Sequence, residues 1–140
     1  MVTNPVLHLP VRVRVGGLVV LSFLAVLVQL NAWRDLLHIG WVDAEQSQVL
    51  LAPFVALLII GMRLEQLKRT PMRSDLLGLV PIVVGWLIGW VGFHHAIQSF
   101  WHAGAVLCLI GVAWTVLGRG VMLRLLPAVV VLGFLVPVPG

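Results

Sequence analysis

A chain of 140 residues with 61% hydrophobic and 10% charged residues, at a mean hydropathy of +1.10, carries far fewer charges than the roughly 25% typical of soluble domains. A small water-soluble fold cannot hide that much hydrocarbon, so the surplus must face lipid or partner helices. Nine Lys plus Arg against five Asp plus Glu give a net charge of +4, but the cations fall in short segments between apolar runs. No basic stripe interleaved with aromatics is present to track a phosphate backbone, which excludes nucleic acid as a partner.

Taken in chain order, the apolar runs are Gly16 to Trp33, Gln48 to Met62, Leu76 to Phe93, Ala103 to Leu117 and Val121 to Val138. Each approaches the ~20 residues that a helix needs to cross a ~30 Å hydrocarbon core, and none alternates as a barrel strand would. The expected fold is therefore an all-α polytopic transmembrane bundle of about five helices. A short segment, 1–15, precedes a transmembrane helical domain over 16–140. Trp33, Trp41, Trp90 and Trp101 stand where an aromatic belt would lie.

Basic residues set the expected direction. Arg12, Arg14, Arg63, Lys68, Arg69, Arg73, Arg119 and Arg124 all fall on one side of the alternating runs, and only Arg34 falls on the other. By the positive-inside rule the amino terminus is cytoplasmic, the protein is a multi-pass component of the cytoplasmic (inner) membrane, and Val136 to Gly140 emerges outside. A cleaved signal peptide over residues 1–33 is the competing reading. The stretch after the first run, Gln29 to Trp33, lacks a small-x-small cleavage pattern.

Small residues mark the expected helix contacts. Gly85 and Gly89 form a GxxxG pair that Gly92 extends, and Gly104, Gly111 and Gly118 recur every seven residues along the fourth run. Pro53 and Pro81 interrupt backbone donors in the second and third runs, and each is expected to kink its helix. At the far end Pro127 opens the fifth run, while Pro137 and Pro139 close it in extended form.

Unusual polar residues collect on the side opposite the cations. His38, His94, His95 and His102 lie there, four of the five histidines, together with Asp35 and Asp43. Asp35, His38, His95 and His102 could supply zinc ligands, yet no HExxH-like spacing supports this, and histidines at the interface without a catalytic task are the expectation. Asn31, Asp35 and His38 stand at i, i+4 and i+7 and would share a face if the first helix continued past Trp33. That face could be an orienting network, although a solvated helix end accounts for the same spacing. Cys108 sits among Val106, Leu107, Leu109 and Ile110, a setting for an inert packing thiol. No catalytic residue, metal or cofactor is assigned.

Two patches of this chain resemble the exosortase/archaeosortase family of multi-pass membrane proteins. The first is Asp43 and Glu45 followed by Ser47-Gln48-Val49-Leu50-Leu51-Ala52-Pro53. Its Ser47 and Pro53 match the family's acidic, Ser-His-Gly, apolar, Pro pattern in register, with Gln48 and Val49 standing in place of His and Gly. The second runs from Leu126-Pro127 to Leu135-Val136-Pro137-Val138-Pro139 and matches the family's closing Pro-x-Pro. The resemblance implies a membrane cysteine transpeptidase or protease that processes carboxy-terminal sorting signals, with the bilayer and exported proteins bearing a sorting helix as partners. In that family the Cys, Arg and His of the chemistry come after the Pro-x-Pro. Cys108, Arg119, Arg124, His94, His95 and His102 do not occupy those positions, so this chain is expected to carry scaffold without the catalytic set. A noncatalytic membrane subunit or a transporter fragment is the alternative, the latter disfavoured by apolar runs free of Asp, Glu, Lys and Arg.

Overall fold

A computed structural model describes residues 10–44 and 47–137, all of whose regular structure is helical. In chain order the elements are α1 (Val11–Val28), α2 (Leu30–Val42), α3 (Gln48–Met62), α4 (Leu64–Lys68), a 3-10 turn (Leu76–Gly78), α5 (Leu79–His94), α6 (Gln98–Leu117), α7 (Arg119–Arg124) and α8 (Leu126–Gly133). Helix is the only open-ended way to satisfy backbone polar groups in hydrocarbon, and these runs contain few side chains that could compete. Val11–Val28, Leu76–His94 and Gln98–Leu117 are each long and apolar enough to cross a membrane, and Gln48–Met62 is a shorter apolar helix.

The first and last runs differ from expectation. The first begins earlier, at Val11, and breaks at Gln29, whose φ of −112° and ψ of 30° lie outside the helical well. The chain then resumes as α2 to Val42. The fifth run is cut at Leu125 into α7 and α8, and α8 has only 8 residues. Pro127 explains the cut. It occupies the first turn of α8 and has no N–H to donate to the Leu123 carbonyl four residues back, so a continuous helix through Leu125 would lose that bond. Pro81 sits in the first turn of α5 and is not an interior breaker. Pro53 is interior to α3, where it removes the bond that Val49 would otherwise accept.

The centre of the molecule is an antiparallel hairpin of α5 and α6, the most extensive helix pair in the structure. Its turn is a Schellman arrangement. The Ile97 amide donates to the Gly92 carbonyl at 2.8 Å, and Ala96 takes the left-handed position (φ 55°) that glycine usually fills. At the other end Asp75 caps the 3-10 turn, its Oδ1 accepting from the Leu77 amide at 3.0 Å, and the Asp75 amide donates to the Thr115 carbonyl at 3.1 Å.

Along this hairpin the two glycine series face each other. A methyl on Gly85 would lie 2.8 Å from the Gly104 carbonyl oxygen and 2.9 Å from the Cys108 amide, and one on Gly104 would lie 2.6 Å from Gly89 Cα. One turn of seven further on, a methyl on Gly111 would meet the Ile82 amide at 2.8 Å and the Gly78 carbonyl at 2.9 Å. Gly92 abuts the Phe100–Trp101 backbone in the same register. Gly118 ends α6 at a φ of +84° with its α-carbon turned against the Arg73 carbonyl, a position closed to any side chain. Close backbone approach of this kind supplies dispersion contact where hydrophobic force between helices is weak.

Around the hairpin, α1 lies against α6 and α8 lies against α3. Leu36, Val49, Ala52, Val106 and Leu135 form the main core, uniting α2, α3, α6 and the segment after α8. A second cluster, Leu67, Val121 and Leu125, joins α4 to α7. Many large apolar side chains, among them Phe23, Leu57, Leu58, Val83 and Trp86, are exposed, as expected of a surface solvated by acyl chains.

Cations gather at one end, with Arg34, next to Asp35 on α2, away from them. Arg14 is buried and donates to the Met72 carbonyl, which ties the start of α1 to the segment before α5. The Arg63 guanidinium donates to the Arg124 carbonyl at 2.7 Å, which ties the end of α3 to α7. Segments far apart in sequence thus share a basic end, and the α5–α6 turn and the end of α8 lie at the other.

Candidate functional site

At the end opposite the cations α6 begins with Gln98-Ser99-Phe100-Trp101-His102. His102 is fully buried (0% exposed), and its Nε2 lies 3.0 Å from Oδ2 of Asp35 on α2, whose side chain is 33% exposed. In this contact an Nε2–H donates to the carboxylate oxygen, which accepts. Nδ1 has no partner among the described residues. The Trp101 ring lies beside the imidazole, with centroids 5.2 Å apart.

The break at Gln29 makes this pair possible. It lets α2 take its own course, with Ala32, Leu36 and Gly40 buried on its inner face and Asp35 at the edge of that face. Asn31 and His38, which share the helical spacing with Asp35, are exposed. The solvated-end expectation therefore fails for Asp35, which turns inward, and holds only for its two neighbours on the stripe. His95 is exposed as well, so the possible zinc set is not assembled. Among the described residues no three His, Cys, Asp or Glu side chains converge.

Of the residues matching the family patches, Pro137 lies nearest this pair, and Pro127 stands beside the basic end after Arg124. Ser47 is exposed at the position before α3, where its carbonyl accepts from Leu50 at 3.1 Å and its hydroxyl makes no capping bond. Pro53 is half-buried one and a half turns into α3. Pro127 opens α8, and Pro137 is buried, its carbonyl accepting from the Ser99 hydroxyl at 2.9 Å. That bond pins the segment after α8 beside His102. Pro139 lies outside the described residues.

Cys108 is on another face of α6. It is buried, its Sγ is 3.4 Å from the Ile82 carbonyl, and it packs against Gly85. Six residues separate it from His102, roughly 9 Å along the helix axis. An imidazole oriented by a carboxylate has the form of a general base, but no thiol or hydroxyl nucleophile stands within reach of His102 Nδ1 among the described residues. Incubating the purified chain with a sorting-signal peptide should leave Cys108 unmodified, and a thioester adduct in the intact mass would contradict this.

The sequence puts Asp35 and His102 on the same side, among the possible zinc ligands, and the structure brings these two together as a hydrogen-bonded pair without the other two. The usable signal was a carboxylate and an imidazole both near apolar helix ends on the side poor in cations. Neither Ser99 nor its tie to Pro137 carried any signal beyond composition.

An all-helical, lipid-facing bundle with a basic end and a buried His–Asp pair at the other is an integral membrane protein scaffold. Residues 33–140 match the family model described as transmembrane exosortase (Exosortase_EpsH), and the chain belongs to that family. No curated protein and no solved structure matches it.

Proposed function

We propose that this chain forms the amino-terminal membrane portion of an exosortase-like cysteine transpeptidase or protease of the inner membrane, acting on exported proteins that carry a carboxy-terminal sorting helix. Family membership across residues 33–140 is the observation that carries the reading. In it the amino terminus is cytoplasmic, the basic end faces the cytoplasm, and the Asp35–His102 end faces outward. The chain's part is to hold the outer face in shape: Asp35 fixes α2 on α6, and Ser99 fixes the Pro137 segment beside them. The thiolate attack on the sorting signal, assisted by a cationic Arg and a His, belongs to family positions that no residue here matches.

A photo-crosslinking amino acid at Phe93 or Trp41, both exposed at the proposed outer end, tests the substrate part of this reading. It should capture an exported protein carrying its sorting helix and not the same protein without that helix. Equal capture of both, or of neither, would remove the proposal. Orientation is tested separately. In a Cys108→Ala background, single cysteines at Lys68 and Gln98 should be labelled by an impermeant maleimide from the cytoplasmic and the outer side respectively; the exchanged result would reverse the orientation, and labelling of both from one side would overturn the topology.

A further inference from the structure

The basic end holds a cavity away from the Asp35–His102 pair. It measures about 530 Å³ and is lined by Thr70, Arg73, Ser74, Asp75, Arg119 and Arg124, with Leu123 at its edge. All three arginines are exposed, and Arg63 reaches toward them by its bond to the Arg124 carbonyl. The lone carboxylate, Asp75, is already occupied, Oδ1 by the Leu77 amide at 3.0 Å and Oδ2 by Trp114 Nε1 at 3.3 Å. Three guanidinium forks and the Ser74 hydroxyl around one space are suited to a phosphate group, while the Thr70 hydroxyl already donates to the Gln66 carbonyl at 2.7 Å.

A second cavity of about 410 Å³ adjoins it. Its walls are Leu77, Ile110, Trp114, Met122, Leu126 and Val129, and it shares Arg119 and Leu123 with the basic cavity. This groove runs from the cationic end along α6 and α8 toward the middle of the bundle, since Ile110 lies seven residues, about 10 Å, inside the end of α6. A polar basin for an anion that opens onto an apolar channel has the two-part chemistry of a phospholipid, and a free phosphate would leave the channel unused. Leu123, 60% exposed, and Leu126, 53% exposed, stand where the headgroup region passes into hydrocarbon.

We propose that this paired cavity is a binding site for an anionic phospholipid, with the phosphate held by Arg73, Arg119 and Arg124 and one acyl chain lying against Trp114, Leu126 and Val129. The site is independent of the transpeptidase reading, because it uses the opposite end of the molecule and needs only that the chain be in a bilayer. It would fix the α6–α7 corner, where Gly118 turns against Arg73, to one leaflet.

The experiment uses the full chain in vesicles of phosphatidylglycerol and phosphatidylcholine mixed at about one to three, released and analysed by native mass spectrometry. Retained lipid should be enriched in phosphatidylglycerol over the bulk mixture. Each of Arg73→Gln, Arg119→Gln and Arg124→Gln should weaken retention roughly five-fold, as expected for one basic residue near a membrane surface. Arg69→Gln, at the same end but outside the cavity, should leave it unchanged. Leu126→Trp, which fills the apolar groove and keeps every arginine, should also abolish retention and covers the case in which an arginine variant fails to fold. Absence of enrichment, equal loss with Arg69→Gln, or retention untouched by Leu126→Trp overturns the site. Displacement of the lipid by inorganic phosphate at equal concentration would reassign the basin to a free anion and overturn the lipid proposal.

Discussion

Replacing Gly104 with leucine will separate α5 from α6 and leave no folded bundle in detergent. A Cβ at this position would stand 2.6 Å from both Gly89 Cα and Gly89 N and would press on the Gly85 carbonyl oxygen, and all of these are backbone atoms that cannot rotate away. Overpacking a core that can adjust costs roughly 1–3 kcal/mol, and here the only adjustment is to move one helix off the other, which gives up contacts along the whole hairpin. Gly85→Leu will act in the same way, because its Cβ would meet Gly104 O and Cys108 N at 2.8 and 2.9 Å. Gly61→Leu and Gly17→Leu are the controls, since an added Cβ at either meets nothing within 4 Å. Midpoints of SDS-induced unfolding, followed by circular dichroism, read the difference directly. Equal midpoints for Gly104→Leu and Gly61→Leu would show that the hairpin is not packed through glycine.

Asp35→Leu should destabilise the bundle by about 1–2 kcal/mol, the range for an interhelical polar contact in a membrane protein whose surviving partner stays buried. The imidazole bears the loss. His102 is fully enclosed and would keep a ring N–H with no acceptor, whereas Asp35, one-third exposed, can find water when His102 is the residue removed. His102→Leu should therefore cost less than Asp35→Leu, and the double variant should recover most of what Asp35→Leu loses. The same unfolding titration on all four proteins gives the coupling, and simple additivity of the two single effects would show that the pair does not bind α2 to α6.

Much of the architecture was legible in the residues because the bilayer imposes a one-dimensional rule. The α3 segment needs only its apolar length and the Arg63 that follows it. The basic end follows from where cations can be placed, and there Arg14 bonds Met72 across 58 residues of chain and Arg63 bonds Arg124 across 61. The breaks at Gln29 and Leu125 were not legible. Hydropathy is blind to a change in helix direction inside an apolar run, and Gln29 carries no strong breaker signal. The second break had a usable cue in Pro127, which lacks the N–H that a continuous helix would donate to Leu123.

The candidate site shows the same division. Asp35, His102 and the closing prolines could be named as unusual residues of one side, and Cys108 as a packing thiol, from residue type and neighbours alone. Their pairing could not, because a contact spanning 67 residues depends on the angle at which α2 leaves α1.

The sequence by itself determined that this chain is a helical membrane protein, how many apolar runs it has and which of their connections share the cationic side, because transfer of charge and unpaired backbone into hydrocarbon is costly residue by residue. Only the tertiary structure decided which glycine faces which across the hairpin, that Asp35 closes on His102, and that three arginines from two segments border one cavity. Those outcomes are set by helix crossing and register, which depend on the fit of whole surfaces and are written in no single residue.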